Sequence, residues 1–543
     1  MSDPPSPRAR RVASTALVAG PALVAVWAIL TCAASRGVHE ARYGHDVFLP
    51  LDGAWRVLNG QTQHVDFYSP YGPVETELVA WMMRLGGAGV LAIPRAVALV
   101  GLIAAAGMLA VVARRTSRAV GAWLVAVAAL TAVGRNQLGF AFLQVSHSAY
   151  YNRIGFALLA IVMLESLVAS RDERPGLVVA GGALSGFFTA ILLFVKLTFP
   201  LVAAVFLAAS ALMVLPSRAR GIALAAGAVA GLLAGGSLIG FHYGAMLGDY
   251  AFVAGARCVF EVSRLGFWTD MAARDSVIIT PGRIVETIAN EARPTLLVLV
   301  IAAIMPLDAL RRPERRQMMA LVAITWGASL ALVLTSWQWG ESPLFAVLAL
   351  ALLEYVVRSE AVDWRRPACI ALCAACVLEL GAKQVSSVLY DEQWQATYDA
   401  RADTFPGTAA TGLVIDGSDS QCRPREYGPR LLQGVEAIRA VSEPRVITLD
   451  FSNPFPFLMQ TRPPSGGGLC WHHDSTFSDE IFLSPRKMFG DANVVVVSKC
   501  PEDAAAVTSL AKLYDPALGD FHLVKDTGAL LVLSNAPGAA SAP

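Results

Sequence analysis

The sequence predicts a polytopic α-helical membrane protein of about eleven spans, with a small α/β domain at its C-terminal end. Three observations carry this. Only 16% of residues are charged while 55% are hydrophobic, against about 25% charged in a soluble domain. The apolar residues fall in runs near the roughly 20 residues that a helix needs to cross a bilayer. The character then changes after residue 384, where β-branched runs alternate with amphipathic helices.

The runs lie at 13–34, 93–113, 119–134, 154–170, 176–195, 199–215, 221–241, 294–310, 317–336, 343–358 and 368–384. The first follows Arg8, Arg10 and Arg11 and is longer than a roughly 7–15-residue signal-peptide core, so it reads as a retained span. Lys196 and Pro200 divide the long stretch 176–215 into two. Arginines concentrate in alternate short loops: Arg114, Arg115 and Arg118; Arg171 and Arg174; Arg218 and Arg220; Arg311, Arg312, Arg315 and Arg316; Arg358, Arg365 and Arg366. By the positive-inside rule these face the cytoplasm, together with residues 1–12. The loops 35–92 and 242–293 and everything after 384 then lie on the far side, in a bacterial cell the periplasmic face of the inner membrane. Cys422, Cys470 and Cys500 would share that disulfide-permissive compartment, where three cysteines allow at most one internal bridge. Cys369, Cys373 and Cys376 follow helical spacing inside the last span and read as small buried residues.

In the tail, 385–535, Val446–Asp450, Asn493–Ser498 and Leu530–Leu533 read as strands. Leu431–Val441 and Asp503–Tyr514 read as helices, the second opened by Pro501 and first-turn acids. Phe521–Leu533 reads as a hairpin about Asp526-Thr527-Gly528, and 536–543 as a disordered small-residue tail. His472, His473, Asp474 and His522 have no ligand-like spacing, so no metal site is assigned. With a net charge of +1 and no basic patch, nothing points to nucleic acid.

Loop 35–92 is the part richest in chemistry. Positions 45–73 read HDVFLPLDGAWRVLNGQTQHVDFYSPYGP, and a loop this long at a membrane surface is more often functional than connecting. Asp46 follows the first span closely, where a carboxylate can serve as a general base. Ala54–Leu58 has helical character and stops at Asn59-Gly60. After Pro73, Val74, Leu78, Trp81, Met82 and Leu85 share one helical face, as expected of a helix lying flat on the bilayer with Trp81 at headgroup level.

An acid soon after the first span, Gly60 about fourteen residues on, and an aromatic/Pro turn at Tyr68–Pro73 leading to a second surface helix resemble the GT-C class of integral-membrane glycosyltransferases. That class includes the protein mannosyltransferases and the lipid A aminoarabinose transferases. The order of parts is also similar, from the long first outer loop through many spans to an outer C-terminal domain. Position 47 is Val where many relatives carry Glu, so the catalytic carboxylate is Asp46 or Asp52.

The resemblance implies transfer of a sugar from a polyprenyl-phosphate carrier in the membrane to a lipid or glycan acceptor outside the cytoplasm. The acid deprotonates the acceptor hydroxyl, and cations stabilise the departing phosphate. Arg56, Arg135, Arg153 and Lys196 are the candidate cations. Asp66, Tyr68 and Tyr71, the stretch QVSHSAYYNR at 144–153, and Trp337, Trp339 and Glu341 are candidates for substrate contact, although aromatics also gather at any membrane interface. Glu165, Glu354 and Glu379 lie in or near spans. No cofactor follows from the sequence, and a divalent metal is left open. The competing readings are a transporter or flippase of lipid-linked sugar, which would tend to show paired halves that this sequence lacks, and a non-catalytic glycan-assembly factor.

Overall fold

The computed structural model describes residues 7–41, 43–138, 145–168, 174–213, 217–256, 295–304, 312–335, 342–358, 364–397, 404–415, 426–501 and 503–536. Helix falls on all eleven apolar segments: α1 (Pro7–Ala33), α4 (Ala92–Val112), α5 (Arg118–Val133), α6 (Tyr150–Val168), α7 (Pro175–Leu193), α8 (Thr198–Met213), α9 (Arg218–Leu238), α11 (Thr295–Ile304), α12 (Arg312–Thr335), α13 (Leu344–Arg358) and α14 (Arg365–Thr397). Among the described residues, six of these are long and apolar enough to cross a membrane: those at Thr15–Ala33, Ala92–Val112, Tyr150–Val168, Pro175–Leu193, Arg218–Leu238 and Arg365–Gln395. The protein therefore has the character of a membrane protein.

Helix α6 is the axis of the bundle and packs against α4, α5, α7, α8 and α13. Its 18-residue apolar window is 89% buried, whereas that of α9 is 28% buried. Helices α7 and α9 approach backbone to backbone, because a Cβ on Gly227 would stand 2.0 Å from the Ala183 carbonyl. Small residues at such a crossing allow close van der Waals contact without a hydrophobic driving force.

Two surface helices fill the first polar loop, α2 (Phe48–Leu58) and α3 (Val74–Gly86). Helix α2 begins earlier than Ala54, since Pro50 in its first turn removes no hydrogen bond that the helix would otherwise make. It stops at Asn59, followed by Gly60 at φ +83°. On α3, Val79, Ala80 and Met83 pack inward, while Trp81 and Leu85 are 47% and 68% exposed. Helix α10 (Tyr243–Ala256) opens the second long loop, most of which lies outside the described residues.

The C-terminal chain forms a four-stranded sheet from β3 (Val446–Leu449), β4 (Val494–Ser498), β5 (His522–Asp526) and β6 (Leu530–Ser534), in the order β3-β4-β6-β5. The β3–β4 pair is parallel and the others antiparallel. Helices α15 (Tyr427–Ile438) and α18 (Ala504–Leu518) accompany it, and the Asp503 carboxylate caps α18 by accepting from Ala506 N at 3.0 Å. The expected strands, helices and hairpin of the tail are all present, with ends shifted by a few residues. Cys500 is disulfide-bonded and Cys470 is a free, buried thiol.

The tail and the first loop are joined more closely than the sequence indicates. Val38–Glu40 (β1) pairs in parallel with Leu413–Ile415 (β2). Tyr68 N donates to Gly467 O at 2.9 Å, Leu469 N to Tyr68 O at 3.1 Å, and Trp55 Nε1 to Thr461 O at 2.7 Å. On its other side the loop is bonded to the turn between α7 and α8, where Gly72 N donates to Val195 O at 3.0 Å and Val74 N to Phe194 O at 3.1 Å. A Cβ on Gly72 would lie 2.1 Å from Phe194 O, so only glycine fits there. Gly72→Ala should lower stability by about 1–3 kcal/mol, the usual range for overpacking, read as a lower thermal midpoint in detergent. An unchanged midpoint would contradict the close approach.

Candidate active site

The first loop meets the bundle at the N-terminal end of α6. The segment before α6 turns through Ala149, whose φ is +51°, and brings Ser148, Tyr150 and Tyr151 against the loop. Ser148 Oγ donates a short hydrogen bond to Asp46 Oδ2. Asp46 sits in a 3-10 turn, Gly44–Val47, with His45 Nε2 3.4 Å from its Oδ1, and its side chain is 13% exposed. Tyr151 stacks on Tyr71 with ring centres 4.7 Å apart, and Lys196 Nζ lies 5.4 Å from the Tyr151 ring while donating to Thr335 O at 2.8 Å. One residue earlier, His147 meets Glu40, with Nδ1 2.5 Å from Oε1 and its backbone N donating to the same carboxylate at 2.9 Å.

A second carboxyl stands in this group. Glu75, in the first turn of α3, is buried, accepts a hydrogen bond from the Tyr151 backbone and feels the charge of Asp46. Burial, reinforced by Asp46, pushes its pKa up to about 8. Burial also raises the Tyr71 hydroxyl well above its ordinary value, with Cys470, Glu75, Tyr151 and Asp46 adding to the effect. Glu75 lines a small cavity of about 10 Å³, room for about one water, together with Leu78 and Val79 of α3, Ile93, Ala96, Val97 and Val100 of α4, and Tyr150 and Ile154 of α6.

The other expected site residues are engaged elsewhere. Asp52 is 1% exposed and pairs with Arg56 one helical turn on, Nε to Oδ2 at 2.9 Å. Burial raises its pKa against the opposing pull of that guanidinium. Arg56 also donates to Pro464 O at 2.9 Å and Gly466 O at 3.0 Å, and lies over the Phe67 ring, so this pair bonds α2 to the C-terminal chain. Asp66 accepts from Thr62 N at 2.6 Å and shapes a turn. Tyr68 donates to Thr476 O at 2.7 Å and stacks on Trp471. Arg153 is buried in α6 and donates to Asn136 O, Thr131 O and Gln384 Oε1, each at 2.9 Å. Arg135 is paired with Asp391. Glu165 is held by Arg220 and Ser185, and Glu354 by Arg358 and Ser117. Trp337, Trp339 and Glu341 lie outside the described residues.

Reading the sequence missed Glu75, because acids after a proline look like ordinary first-turn residues. The available signal was its spacing: Glu75, Val79 and Met83 recur every four residues, on the face that α3 buries. As to a metal, no group of three His, Cys, Asp or Glu side chains is placed to hold one among the described residues. His472 and His473 lie near Asp503, Asp474 and Asp479 at 3.3–3.7 Å.

No family model and no curated protein matches the sequence. Among solved structures the chain is similar to ArnT from Cupriavidus metallidurans, determined bound to undecaprenyl phosphate and in the apo state. Both show 13% identity and a TM-score of 0.44, over 98% of this chain and 99% and 100% of theirs. It is also similar to the archaeal oligosaccharyltransferase AglB from Archaeoglobus fulgidus, in complex with an inhibitory peptide and a dolichol-phosphate, at 13% identity and a TM-score of 0.34 over 97% of this chain and 74% of that one.

Each unit of the Glu75 shift is about 1.4 kcal/mol of preference for the neutral form. A carboxyl with a raised pKa binds its proton more tightly in the folded state, so folding loses stability as pH rises from the ordinary 4.5 through about 8. Glu75→Gln removes that loss. The midpoint of the variant, relative to wild type, should climb over this interval and level off above it, whereas a constant offset would contradict the buried neutral acid. Arg56→Met, which leaves Asp52 buried without its cation, should cost about 3–5 kcal/mol in chemical unfolding. A cost below 1 kcal/mol would mean that the pair is not structural.

Proposed function

We propose that the protein is a membrane glycosyltransferase that moves a sugar from a polyprenyl-phosphate carrier to a lipid or glycan acceptor on the non-cytoplasmic side, with Asp46 as general base. One observation carries this reading: Asp46 is a part-exposed carboxylate held by Ser148 and His45 beside the stacked Tyr71 and Tyr151 rings, where the first outer loop meets the bundle. A transporter of lipid-linked sugar has no use for a base held in that position. The resemblance of residues 45–73 to the GT-C class supports the same reaction. Of the two acids the sequence leaves open, Asp46 is the base, since Asp52 is committed to Arg56.

In this reading the carrier lies with its isoprenoid chain along α3, α4 and α6 and its phosphate toward the N-terminal end of α6. The acceptor arrives from the exposed side of Asp46. Ser148 and His45 orient the carboxylate toward the acceptor hydroxyl, whose oxygen attacks the anomeric carbon as the phosphate leaves. Tyr71 and Tyr151 offer stacked rings to the sugar, and Lys196, behind Tyr151, offers positive charge to the phosphate. The membrane domain, 13–384, spans the bilayer about eleven times with its N-terminus in the cytoplasm. The unit at 385–535 stands in the periplasm and braces the catalytic loop through β1–β2 and the Gly466–Leu469 contacts.

The test is a transfer assay in membranes with a panel of undecaprenyl-phosphate monosaccharides. Asp46→Asn should lower turnover about 10²–10⁴-fold, the usual contribution of a positioned base, with unchanged yield of folded protein. Asp52→Asn should lower yield more than turnover per folded molecule. Full turnover by Asp46→Asn protein would refute the assignment.

A further inference from the structure

Glu40 lies at the end of β1, shortly before Asp46 in the chain, and general-base chemistry at Asp46 gives it no role. Its side chain is fully buried. Among the described residues, every hydrogen bond that its carboxylate accepts comes from one residue, His147. The backbone N of His147 donates to Oε1 at 2.9 Å and to Oε2 at 3.1 Å, and Nδ1 stands 2.5 Å from Oε1. The next residue, Ser148, donates to Asp46. The two acids thus hold successive residues of one segment. We propose that Glu40 is a positioning residue for the transfer reaction. It fixes the segment 145–148 through His147, so that Ser148 Oγ holds the Asp46 carboxylate in its working orientation. The inference rests on the glycosyl-transfer reading and deepens it, from the base to what aims the base.

Residues 145–148 belong to no helix or strand, so nothing regular holds them. Their backbone is tied piece by piece: Ala41 N donates to Val145 O at 3.0 Å, Ser146 N to Arg135 O at 2.7 Å, and Ser148 N to Ser146 Oγ at 3.1 Å. At His147 a carboxylate grips backbone and ring together, which fixes the orientation of the residue as a single bond could not. Glu40 is itself held from the far end of the sequence. It stands opposite Ile415 in the β1–β2 pair. In the last turn of α14, Gln395 accepts from Gly37 N at 3.0 Å and donates to Gly37 O at 2.8 Å. His39 stacks on Trp394 with ring centres 4.7 Å apart. A line of contacts therefore runs from the C-terminal chain through β2, β1, Glu40, His147 and Ser148 to Asp46. No proton or charge passes along it. Glu40 acts by where its oxygens stand, and displacing a reacting group by about 1 Å can cost about 10²-fold in rate.

The experiment uses the full-length protein in lipid nanodiscs. The substrate is the undecaprenyl-phosphate monosaccharide that the wild type consumes, and release of undecaprenyl phosphate is measured per folded molecule. Glu40→Gln keeps the reach of the side chain, since its amide can accept from His147 N and donate to Nδ1. Glu40→Asp keeps the carboxylate and shortens its reach. Glu40→Gln should retain most of the wild-type kcat, whereas Glu40→Asp should lower it about 10-fold and Glu40→Ala about 10²-fold, each with KM for the donor nearly unchanged. Ser148→Ala should also lower kcat. Joined to Glu40→Asp it should cost little more than the worse of the two, because residues that act as a unit are not additive. If Glu40→Ala does not fold, the order of the Gln and Asp variants and the cycle with Ser148 decide. Full kcat in Glu40→Asp with loss in Glu40→Gln would mean that Glu40 acts through its charge, and the positioning role falls. Losses that multiply in the double variant, or Glu40 variants that lose folded yield at unchanged kcat, would also overturn it. With Asp46→Asn inactive, any of these leaves the transferase reading standing. If Asp46→Asn is as active as wild type, that reading falls and takes this inference with it.

Discussion

Arg56 lies at the centre of the contact between the first polar loop and the C-terminal chain. It neutralises Asp52 on its own helix and donates to the carbonyls of Pro464 and Gly466. A buried cation is tolerated only where such partners take the place of water, and those partners come from opposite ends of the sequence. Around this pair the loop exchanges backbone hydrogen bonds with Gly466–Leu469 on one side and with the α7–α8 turn on the other. A long surface loop would ordinarily sample many conformations, and ordering each residue costs about 1–2 kcal/mol. With β1 paired to β2 at its start and these contacts at its end, the stretch between is confined, and it carries Asp46 and Tyr71.

With the loop held, the N-terminal end of α6 sets the local electrostatics. The first amides of a helix have no partners within it and favour negative charge. Glu75 bonds to the backbone of Tyr151 there, and Ser148, just before the helix, bonds to Asp46. Two acids are thereby gathered at one helix end while burial separates their behaviour. Asp46 keeps an edge open to water, whereas burial makes charge on Glu75 costly. The paired acids follow from where α3 and the 3-10 turn meet α6, and neither residue type nor local sequence would produce the difference alone.

The helical segments were legible because composition alone marks them, and the strands β3, β4 and β6 because each is a β-branched or aliphatic run between turn residues. The β1–β2 pair was not legible: it joins three residues at 38–40 to three at 413–415, and so short a pairing leaves no periodic trace. Asp46 was legible from its place after the first span. Choosing between it and Asp52 was not, since the choice depends on Arg56 reaching back one turn and on a distant Pro-Gly segment covering the pair. Lys196 stood out as a charge between two apolar runs, and it lies beside the aromatic pair. Arg153 resembled it in sequence, yet its guanidinium serves the carbonyls of Thr131 and Asn136 inside the bundle.

The account turns on a carrier lipid lying along α3, α4 and α6 with its phosphate toward Asp46. Photo-crosslinking tests this most directly, using an undecaprenyl phosphate analogue with a diazirine near the phosphate end of its chain, followed by peptide mapping of the full-length protein. The account predicts adducts concentrated on Leu78, Val97 and Ile154 and displaced by unlabelled undecaprenyl phosphate. Adducts confined to other helices, or unaffected by the competitor, would contradict it.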